Sequence, residues 1–228
     1  MKKVSIVGLG DMGIGMAKNL LKNGFELTGY DLRKERLQEL AQLGGKPAAS
    51  CRQVAENSDA VFVMVLNGQQ VKEVVLGETG LLQGLKPGAA IIVTATIHPA
   101  EIKELEKPVS EKEINLIDSP VSGGKSGAEN GTLTLMTAAK KEVFEDCNSV
   151  LETVGQNIYH VGEDIGMGQT VKAALQALIG ASFTAIFESL VLGVKAGVKA
   201  ETLYEVFSTS GVSSLLFKNC AKLIMERT

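Results

Sequence analysis

Three glycines and one aspartate near the amino terminus have the residue types and the spacing of a nucleotide-binding turn. Gly8, Gly10 and Gly13 follow an apolar run, and Asp31 comes 18 residues after Gly13. Glycine at these three positions allows a sharp turn, a close approach of the backbone to a pyrophosphate, and close packing of a helix on a strand. The elements occur in the order strand, turn, helix, strand and acid, which favours dinucleotide binding over a purely structural turn.

The residues around this turn bear on which dinucleotide would bind. A helix that begins at Asp11 and Met12 would direct its free N–H groups at phosphates. The carboxylate of Asp31 can accept both ribose hydroxyls of an adenosine and would repel a 2'-phosphate, so we expect NAD as the cofactor. The cations of Arg33 and Lys34 are close in sequence and leave NADP as the alternative.

A second glycine-rich stretch, residues 118–136, offers groups that can bind a carboxylate. Ser122 carries a hydroxyl, Gly123 and Gly124 provide bare backbone N–H groups, and Pro120 restricts the backbone before them. We interpret the stretch as one long loop, and long loops in compact domains are often functional.

Lys172 is a candidate for proton transfer because of its place in a predicted helix. The helix covers 169–196, which puts Lys172 in its first turn beside the apolar residues Val171 and Ala173. An apolar environment and the positive end of a helix dipole both disfavour the ammonium form and lower the pKa of a lysine. Gln176 is four residues further on and therefore on the same helical face. The alternative is an ordinary solvated lysine.

The pattern of the first two thirds of the chain predicts a doubly wound, mostly parallel α/β sheet. Helical segments alternate with predicted strands at residues 60–65, 90–94 and 115–119. The first of these is a continuous apolar run, which is typical of a strand covered on both faces. Ligands of such sheets lie beyond the carboxyl ends of the strands, which places Leu66 and Asn67 at the crevice. Thr96 follows the next strand, and its hydroxyl could contact cofactor or substrate or could serve as a turn or cap.

Length and composition limit the classes of function. The chain has 228 residues, and we predict two domains, 1–164 and 165–228. A net charge of -3 and the absence of tryptophan argue against nucleic acid as a partner. Three cysteines without a Cys-x-x-Cys pair favour reduced thiols in a cytoplasmic protein. His98 and His160 have no partners at metal-ligand spacing, so we interpret both as structural and predict no metal site.

One apolar stretch, residues 173–194, is long enough to cross a bilayer. The alternative is a helix that is buried on all sides within a protein or between subunits. We predict the buried helix, because the rest of the sequence has no membrane-like segment and the charges that flank the stretch are not asymmetric.

Three sequence blocks together resemble one enzyme family. They are GLGDMG with MAKNL, DSPVSGG followed by GA and GTL, and GMG followed by Lys172. In this order and at these separations they resemble the NAD(P)-dependent β-hydroxyacid dehydrogenases. The resemblance implies a Rossmann-type domain, a long interdomain helix and an all-helical carboxyl-terminal domain. It also implies interconversion of a small 3-hydroxy acid and its semialdehyde.

The resemblance assigns roles residue by residue. It implies that Ser122, Gly123 and Gly124 hold the substrate carboxylate and that Lys172 is the general acid and base at the reacting oxygen. It further implies that Thr96 lies near the nicotinamide and that Asn67 belongs to a loop beside the cofactor.

The chain departs from the family pattern in two respects. Leu175 and Gln176 stand where the family usually has Asn-Asn or Asn-Gln, so substrate positioning by Gln176 is expected to be altered. The helical domain from Ile165 onward is shorter than in the family and is therefore predicted to be incomplete. Apolar surface left open in this way favours a homodimer or a higher homo-oligomer.

Two other functions remain open from the sequence. The chain could be a non-catalytic dinucleotide-binding protein, or an inactive fragment that lacks the closing helices. It could also reduce imines, although a lysine at position 172 argues against that chemistry.

Overall fold

The computed structural model describes residues Lys3–Glu226, and the chain divides into two compact units at Ala173 and Ala174. The first unit contains a Rossmann-type α/β sheet, and the second is helical. The predicted fold class is therefore confirmed: a doubly wound sheet is followed by a long helix and a helical carboxyl-terminal region.

The sheet of the first unit contains the strands β1 (Lys3–Val7), β2 (Glu26–Tyr30), β3 (Lys46–Pro47), β4 (Ala60–Val63), β5 (Ala90–Val93), β6 (Asn115–Asp118), β7 (Val121–Ser122), β8 (Leu133–Ala138) and β9 (Gly155–Gly162). The order β3-β2-β1-β4-β5-β6 is parallel throughout. β8 runs antiparallel to β6 and β7, and β9 pairs with β8 in parallel. The carboxyl ends of β1 to β6 therefore lie at one edge of the sheet, where ligands of such folds bind.

The helices of the described residues are α1 (Asp11–Lys22), α2 (Lys34–Gln42), α3 (Cys51–Ala55), α4 (Gly68–Leu76), α5 (Pro99–Ser110), α6 (Gly124–Asn130), α7 (Lys141–Val154), α8 (Met167–Lys195), α9 (Ala200–Thr209) and α10 (Leu215–Glu226). α8 begins in the first unit and continues into the second.

Both faces of the sheet are buried at its centre, where β4 and β5 are apolar at every position. In β4, Phe62 packs into the cluster formed with α1 and α7, whereas Val61 and Val63 pack into the cluster formed with α4 and α5. Neighbouring residues of a strand point to opposite faces, so a continuous apolar run supplies both clusters. This arrangement leaves the strand ends as the accessible part of the sheet.

One prediction about local structure is wrong. Residues 118–136 are divided among β6, β7, α6 and β8 and do not form one long loop. β6 and β7 pair with β8 in one register, and Pro120 interrupts the pairing between them. The proline and the glycines therefore separate short elements, although in the sequence they suggested a single loop.

The second unit has a small apolar core of its own. Leu190, Leu203, Phe217 and Ala221 are buried together there. Much of the apolar surface of α8 is nevertheless open in this chain, and Leu192 is 72% exposed. The prediction of a helix that is buried on all sides is therefore not met within the chain itself.

Among residues 3–226, α8 is the one helix that is long and apolar enough to cross a bilayer.

Candidate active site

At two of the three turn glycines, the packing of the fold requires glycine even without a bound ligand. Gly8 adopts φ +92°, and a Cβ atom there would lie 2.1 Å from the carbonyl oxygen of Met64. A Cβ atom on Gly13 would lie 1.9 Å from the carbonyl oxygen of Gly8, because α1 packs directly on the turn. Glycine is needed at both positions because only a residue without Cβ avoids these overlaps.

Gly10 is not constrained in this way. Its φ is -62°, and the protein atom nearest to an added Cβ would be Nη2 of Arg33 at 3.8 Å. Gly10 lines a cavity of about 700 Å³ beside the turn. The space beside its backbone suits a ligand that must approach the main chain closely, as a pyrophosphate does.

The cavity lies at the carboxyl ends of β1, β2 and β4 and contains most of the predicted cofactor residues. Those that line it are Gly8, Gly10, Asp11, Asp31, Arg33 and Leu66. Leu32 also lines it, and both Leu32 and Leu66 are 85% exposed. Such open apolar side chains at the rim of a cavity suit the faces of an adenine ring.

Asp31 directly follows β2, and its carboxylate is fully engaged by hydrogen bonds. Oδ2 accepts from the N–H of Leu9 at 2.7 Å and from Nη2 of Arg33 at 3.2 Å. Oδ1 accepts from the backbone N–H of Arg33 at 2.9 Å and from its Nε at 3.0 Å. Burial raises the pKa of Asp31, but the bonds from Arg33 and Leu9 outweigh it and hold that pKa below its ordinary value. Because a carboxylate has about four acceptor sites, ribose hydroxyls would have to replace bonds from Arg33.

The first residues of α1 have different surroundings. The helix begins at Asp11, whose carboxylate accepts from Nη2 of Arg36 at 2.7 Å. The Met12 side chain packs against the core cluster, so its backbone N–H is what it can offer to a phosphate. No side chain caps the first turn, which leaves the N–H groups at this end to a ligand or to solvent.

The segment after β4 is ordered by contacts that the sequence analysis did not include. Oδ1 of Asn67 accepts from the N–H of Gln70 at 2.9 Å and caps α4, and the N–H of Leu66 donates to Oε1 of Gln70 at 2.9 Å. A Cβ atom on Gly68 would lie 2.2 Å from Cδ of Glu101, so Gly68 accommodates that carboxylate. The Asn67 side chain thus shapes the loop, while α4 contributes Gln70 to the cavity.

The serine and two glycines after β7 form a strained turn. Gly123 and Gly124 have φ values of +133° and +60°, which residues with a Cβ rarely adopt. Both glycines are exposed, and Ser122 is half-buried at the end of β7. An added Cβ on Gly124 would meet no protein atom within 4 Å, so backbone conformation and not crowding selects glycine there.

Thr96 is exposed on the segment that follows β5, and Gln169 of α8 fixes the backbone on both sides of it. Oε1 of Gln169 accepts from the N–H of Ile97 at 3.0 Å, and its Nε2 donates to the carbonyl oxygen of Ala95 at 2.9 Å. The Gln169 side chain is 1% exposed, so these bonds are shielded from water. Sequence reasoning missed Gln169 because its partners are more than 70 residues away in the chain.

Asp118 ends β6 and is fully buried against the first turn of α8. Its Oδ2 accepts from the N–H of Gly166 at 2.9 Å and from the N–H of Gln169 at 3.1 Å. Within the described residues, Oδ1 has no hydrogen-bond partner. Burial raises the pKa of Asp118 to about 6, against the opposing effect of the backbone N–H groups.

This raised pKa predicts a pH dependence of stability. Asp118 binds its proton more tightly in the folded state than in the unfolded state. The contribution of this proton to the free energy of unfolding is therefore complete below pH 3.8 and is lost as the pH rises to about 6. The loss amounts to about 3 kcal/mol in the free energy of unfolding. Urea titrations from pH 4 to 8 should show this decrease in the wild type and not in Asp118→Asn. Asp146→Asn removes an exposed acid and should retain the decrease; equal curves for wild type and Asp118→Asn would contradict the prediction.

Lys172 is 7% exposed, and among the described residues it has no ion-pair or hydrogen-bond partner. Burial lowers the pKa of its amine. The sequence analysis expected this lower pKa because Val171 and Ala173 would surround Lys172 with apolar groups. That reason is wrong, because Val171 is 41% exposed and Ala173 is exposed as well. Adjacent residues of a helix point about 100° apart, so the face that carries Lys172 is buried while its sequence neighbours are open. Gln176 is exposed on the continuation of α8 in the second unit.

Both histidines have structural contacts. Nδ1 of His98 accepts from the N–H of Ala100 at 3.1 Å and forms a capping box with Glu101 at the start of α5. Nε2 of His160 lies 2.8 Å from the carbonyl oxygen of Ala139, and the imidazole stacks on Phe144. No group of three or more metal-ligating side chains occurs in residues 3–226.

Comparison with known proteins identifies the class to which this fold and cavity belong. Residues 3–162 match the family model described as the NAD binding domain of 6-phosphogluconate dehydrogenase. Residues 166–228 match the model described as NAD-binding of NADP-dependent 3-hydroxyisobutyrate dehydrogenase. Both parts are thus those of dehydrogenases that use a nicotinamide dinucleotide.

Individual relatives narrow this class to one family. The chain is 38% identical to 2-(hydroxymethyl)glutarate dehydrogenase of Eubacterium barkeri over 98% of its own length and 74% of the relative. It is 35% identical to L-threonate dehydrogenase of Cupriavidus necator over 99% of its own length and 76% of the relative. It superposes on a crystal structure of 3-hydroxyisobutyrate dehydrogenase from Salmonella typhimurium with a TM-score of 0.89 and 32% identity, covering 100% of this chain and 79% of that one. The chain belongs to the β-hydroxyacid dehydrogenase family and is an NAD(P)-dependent hydroxyacid dehydrogenase.

Proposed function

We propose that this protein transfers a hydride between a nicotinamide dinucleotide and C3 of a small 3-hydroxy acid or its semialdehyde, with Lys172 as the general acid and base. The observation that carries the proposal is a buried amine with a lowered pKa and, within residues 3–226, no charged partner. Burial favours the neutral amine, so such a lysine can accept and return a proton at a lower pH than an exposed lysine does.

The residues of the first unit would hold the cofactor at the end of the sheet. The turn at Gly8, Gly10 and Gly13 gives the pyrophosphate access to the backbone, and Asp31 lies where the adenosine ribose binds in such folds. The bound nicotinamide supplies the acceptor or donor of the hydride. The open backbone beside Gly10 and the size of the cavity both fit this cofactor.

The chain's own groups account for the rest of the reaction. During oxidation the neutral amine of Lys172 takes the hydroxyl proton of the substrate. At the same time the C3–H bond of the substrate breaks, the hydride leaves for the nicotinamide, and the carbonyl group forms. During reduction the ammonium form returns that proton to the same oxygen. Ser122 and the N–H groups of Gly123 and Gly124 would bind the substrate carboxylate, and Gln176 and Thr96 would orient the substrate.

A panel assay tests this function directly. Purified protein should oxidise at least one three- to five-carbon 3-hydroxy acid and reduce the matching semialdehyde, measured by absorbance of NADH or NADPH. Lactate and a cyclic imine serve as controls for 2-hydroxy acid and imine chemistry. Turnover only with an imine, or binding of NADH without turnover of any substrate, would contradict the proposal.

The cofactor preference is a separate prediction. Because the pKa of Asp31 is lowered, Asp31 is a carboxylate at neutral pH and should disfavour a 2'-phosphate. We expect NADH to be preferred over NADPH. The variant Asp31→Asn should reduce the ratio of kcat/KM with NADH to kcat/KM with NADPH by about 10-fold or more. Glu35→Gln removes an exposed acid from the start of α2 and should leave the ratio unchanged. An unchanged ratio in Asp31→Asn would show that this carboxylate does not select the cofactor.

The assembly and location of the protein are also proposals. The open apolar side chains of α8, which include Leu178 and Leu192, favour a homodimer or a larger homo-oligomer. Cys51, Cys147 and Cys220 are free thiols, which favours a reducing compartment such as the cytoplasm.

A further inference from the structure

A buried polar bridge joins three segments at the carboxyl edge of the sheet. Asp118 at the end of β6 accepts two bonds from the beginning of α8, at Gly166 and Gln169. Gln169 in turn binds the backbone after β5 at Ala95 and Ile97. The two side chains therefore connect the end of β6, the first turn of α8 and the segment after β5.

The first turn of α8 lies directly on the sheet at this point. A Cβ atom on Gly168 would lie 2.4 Å from the carbonyl oxygen of Met136 and 2.7 Å from that of Asp118. No side chain can separate the helix from the strands here, so the bridge and this close contact together fix the base of α8. An interior with this packing density transmits small displacements instead of absorbing them.

The bridge is placed between residues with proposed roles in the reaction. Thr96 lies between Ala95 and Ile97, the two residues that Gln169 holds. Lys172 follows Gln169 by three residues in the same helix, and Ser122 follows Asp118 by four residues in the chain. Each segment that the bridge joins therefore carries one candidate substrate or proton-transfer group.

We propose that Asp118 and Gln169 are positioning residues that hold the Lys172 amine in register with the Thr96 hydroxyl and with the segment leading to Ser122. This inference rests on the proposed function, since it assigns these residues to the geometry of proton transfer. Both side chains are buried, so we assign neither of them a contact with the substrate.

The decisive variant is Gln169→Met, which keeps the volume of the side chain and removes both of its hydrogen bonds. We expect kcat to fall by about 10-fold or more, because small misplacements of reacting groups are costly, while the Kd for NADH stays within about twofold. Hydrogen exchange should be faster at the Ile97 amide, which loses its acceptor. Gln169→Glu retains the bond from Ile97 and sets an oxygen against the Ala95 carbonyl, so it should also lower kcat.

Asp118→Asn separates positioning from chemistry. Its amide oxygen can still accept from the N–H groups of Gly166 and Gln169, so kcat should stay within about threefold of the wild type. Ser5→Ala is the matched control for loss of a buried bond, since Ser5 bonds to Ser58 and contacts none of the three segments. It should leave kcat and exchange at Ile97 unchanged.

The outcomes that would overturn the proposal differ from those that would overturn the function. Wild-type kcat in Gln169→Met, despite faster exchange at Ile97, would refute positioning while leaving the dehydrogenase function intact. A loss of kcat in Asp118→Asn as large as in Lys172→Met would refute it as well, since it would assign chemistry to Asp118. Absence of turnover in the wild type with every hydroxy acid and semialdehyde would refute the function and this role together.

Discussion

Replacing Lys172 with methionine is expected to lower kcat by about 10²-fold or more and to leave the Kd for NADH within about twofold of the wild type. Methionine fills the buried space of the side chain without an amine, so the loss would report proton transfer and not a cavity. Stopped-flow or steady-state assays with the best substrate of the panel measure kcat. Quenching or enhancement of NADH fluorescence measures cofactor affinity.

The same variant should change the pH profile. Oxidation of the alcohol requires the neutral amine, so its rate should be high above the pKa of Lys172 and fall as the pH drops through it. Burial lowers that pKa, so the fall should occur at a lower pH than for an exposed lysine. In Lys172→Met this limb should disappear, and in Lys172→Ala added methylamine should restore part of the activity.

Lys195→Met provides the matched control, because Lys195 is an exposed lysine in the last turn of the same helix. It should retain wild-type kcat and the wild-type pH profile. Equal turnover by Lys172→Met and the wild type would remove Lys172 from the mechanism. Loss of NADH binding in step with kcat would instead assign the lysine to the cofactor.

Short-range chemistry explains what the sequence could predict. The order of apolar runs and helical segments predicted the doubly wound sheet, because a strand covered on both faces is apolar at every position. The glycines of the first turn were recognisable from their spacing between the first apolar run and the helical segment that follows it. Both signals depend on residues that are close in the chain or on the period of one element.

Long-range contacts explain what the sequence could not predict. Gln169 binds partners 72 and 74 residues away, and Asp118 binds the first turn of α8 across 48 and 51 residues. No local pattern distinguishes such a glutamine from one on a solvated helix. The burial of Lys172 was expected from Val171 and Ala173, yet both are exposed, because burial follows the face of a helix and not its neighbours in sequence.

The three turn glycines allow a prediction that separates binding from folding. Gly10→Ala should weaken NADH binding by about 10²-fold, because the added methyl group occupies the space where a pyrophosphate approaches the backbone. The fold of the protein should tolerate the change, since φ of Gly10 is -62° and the nearest protein atom to the new Cβ lies 3.8 Å away. The free energy of unfolding should stay within about 1 kcal/mol of the wild type.

Gly13→Ala is the matched comparison and should have the opposite effect. Its Cβ would lie 1.9 Å from the carbonyl oxygen of Gly8, so α1 must move away from the turn. We expect a loss of about 3 kcal/mol or more in the free energy of unfolding, measured by urea titration without cofactor.

If Gly10→Ala binds NADH as tightly as the wild type, the pyrophosphate does not lie against this backbone. If Gly10→Ala loses as much stability as Gly13→Ala, the fold requires glycine at position 10 as well, and the prediction that this variant separates binding from folding is wrong.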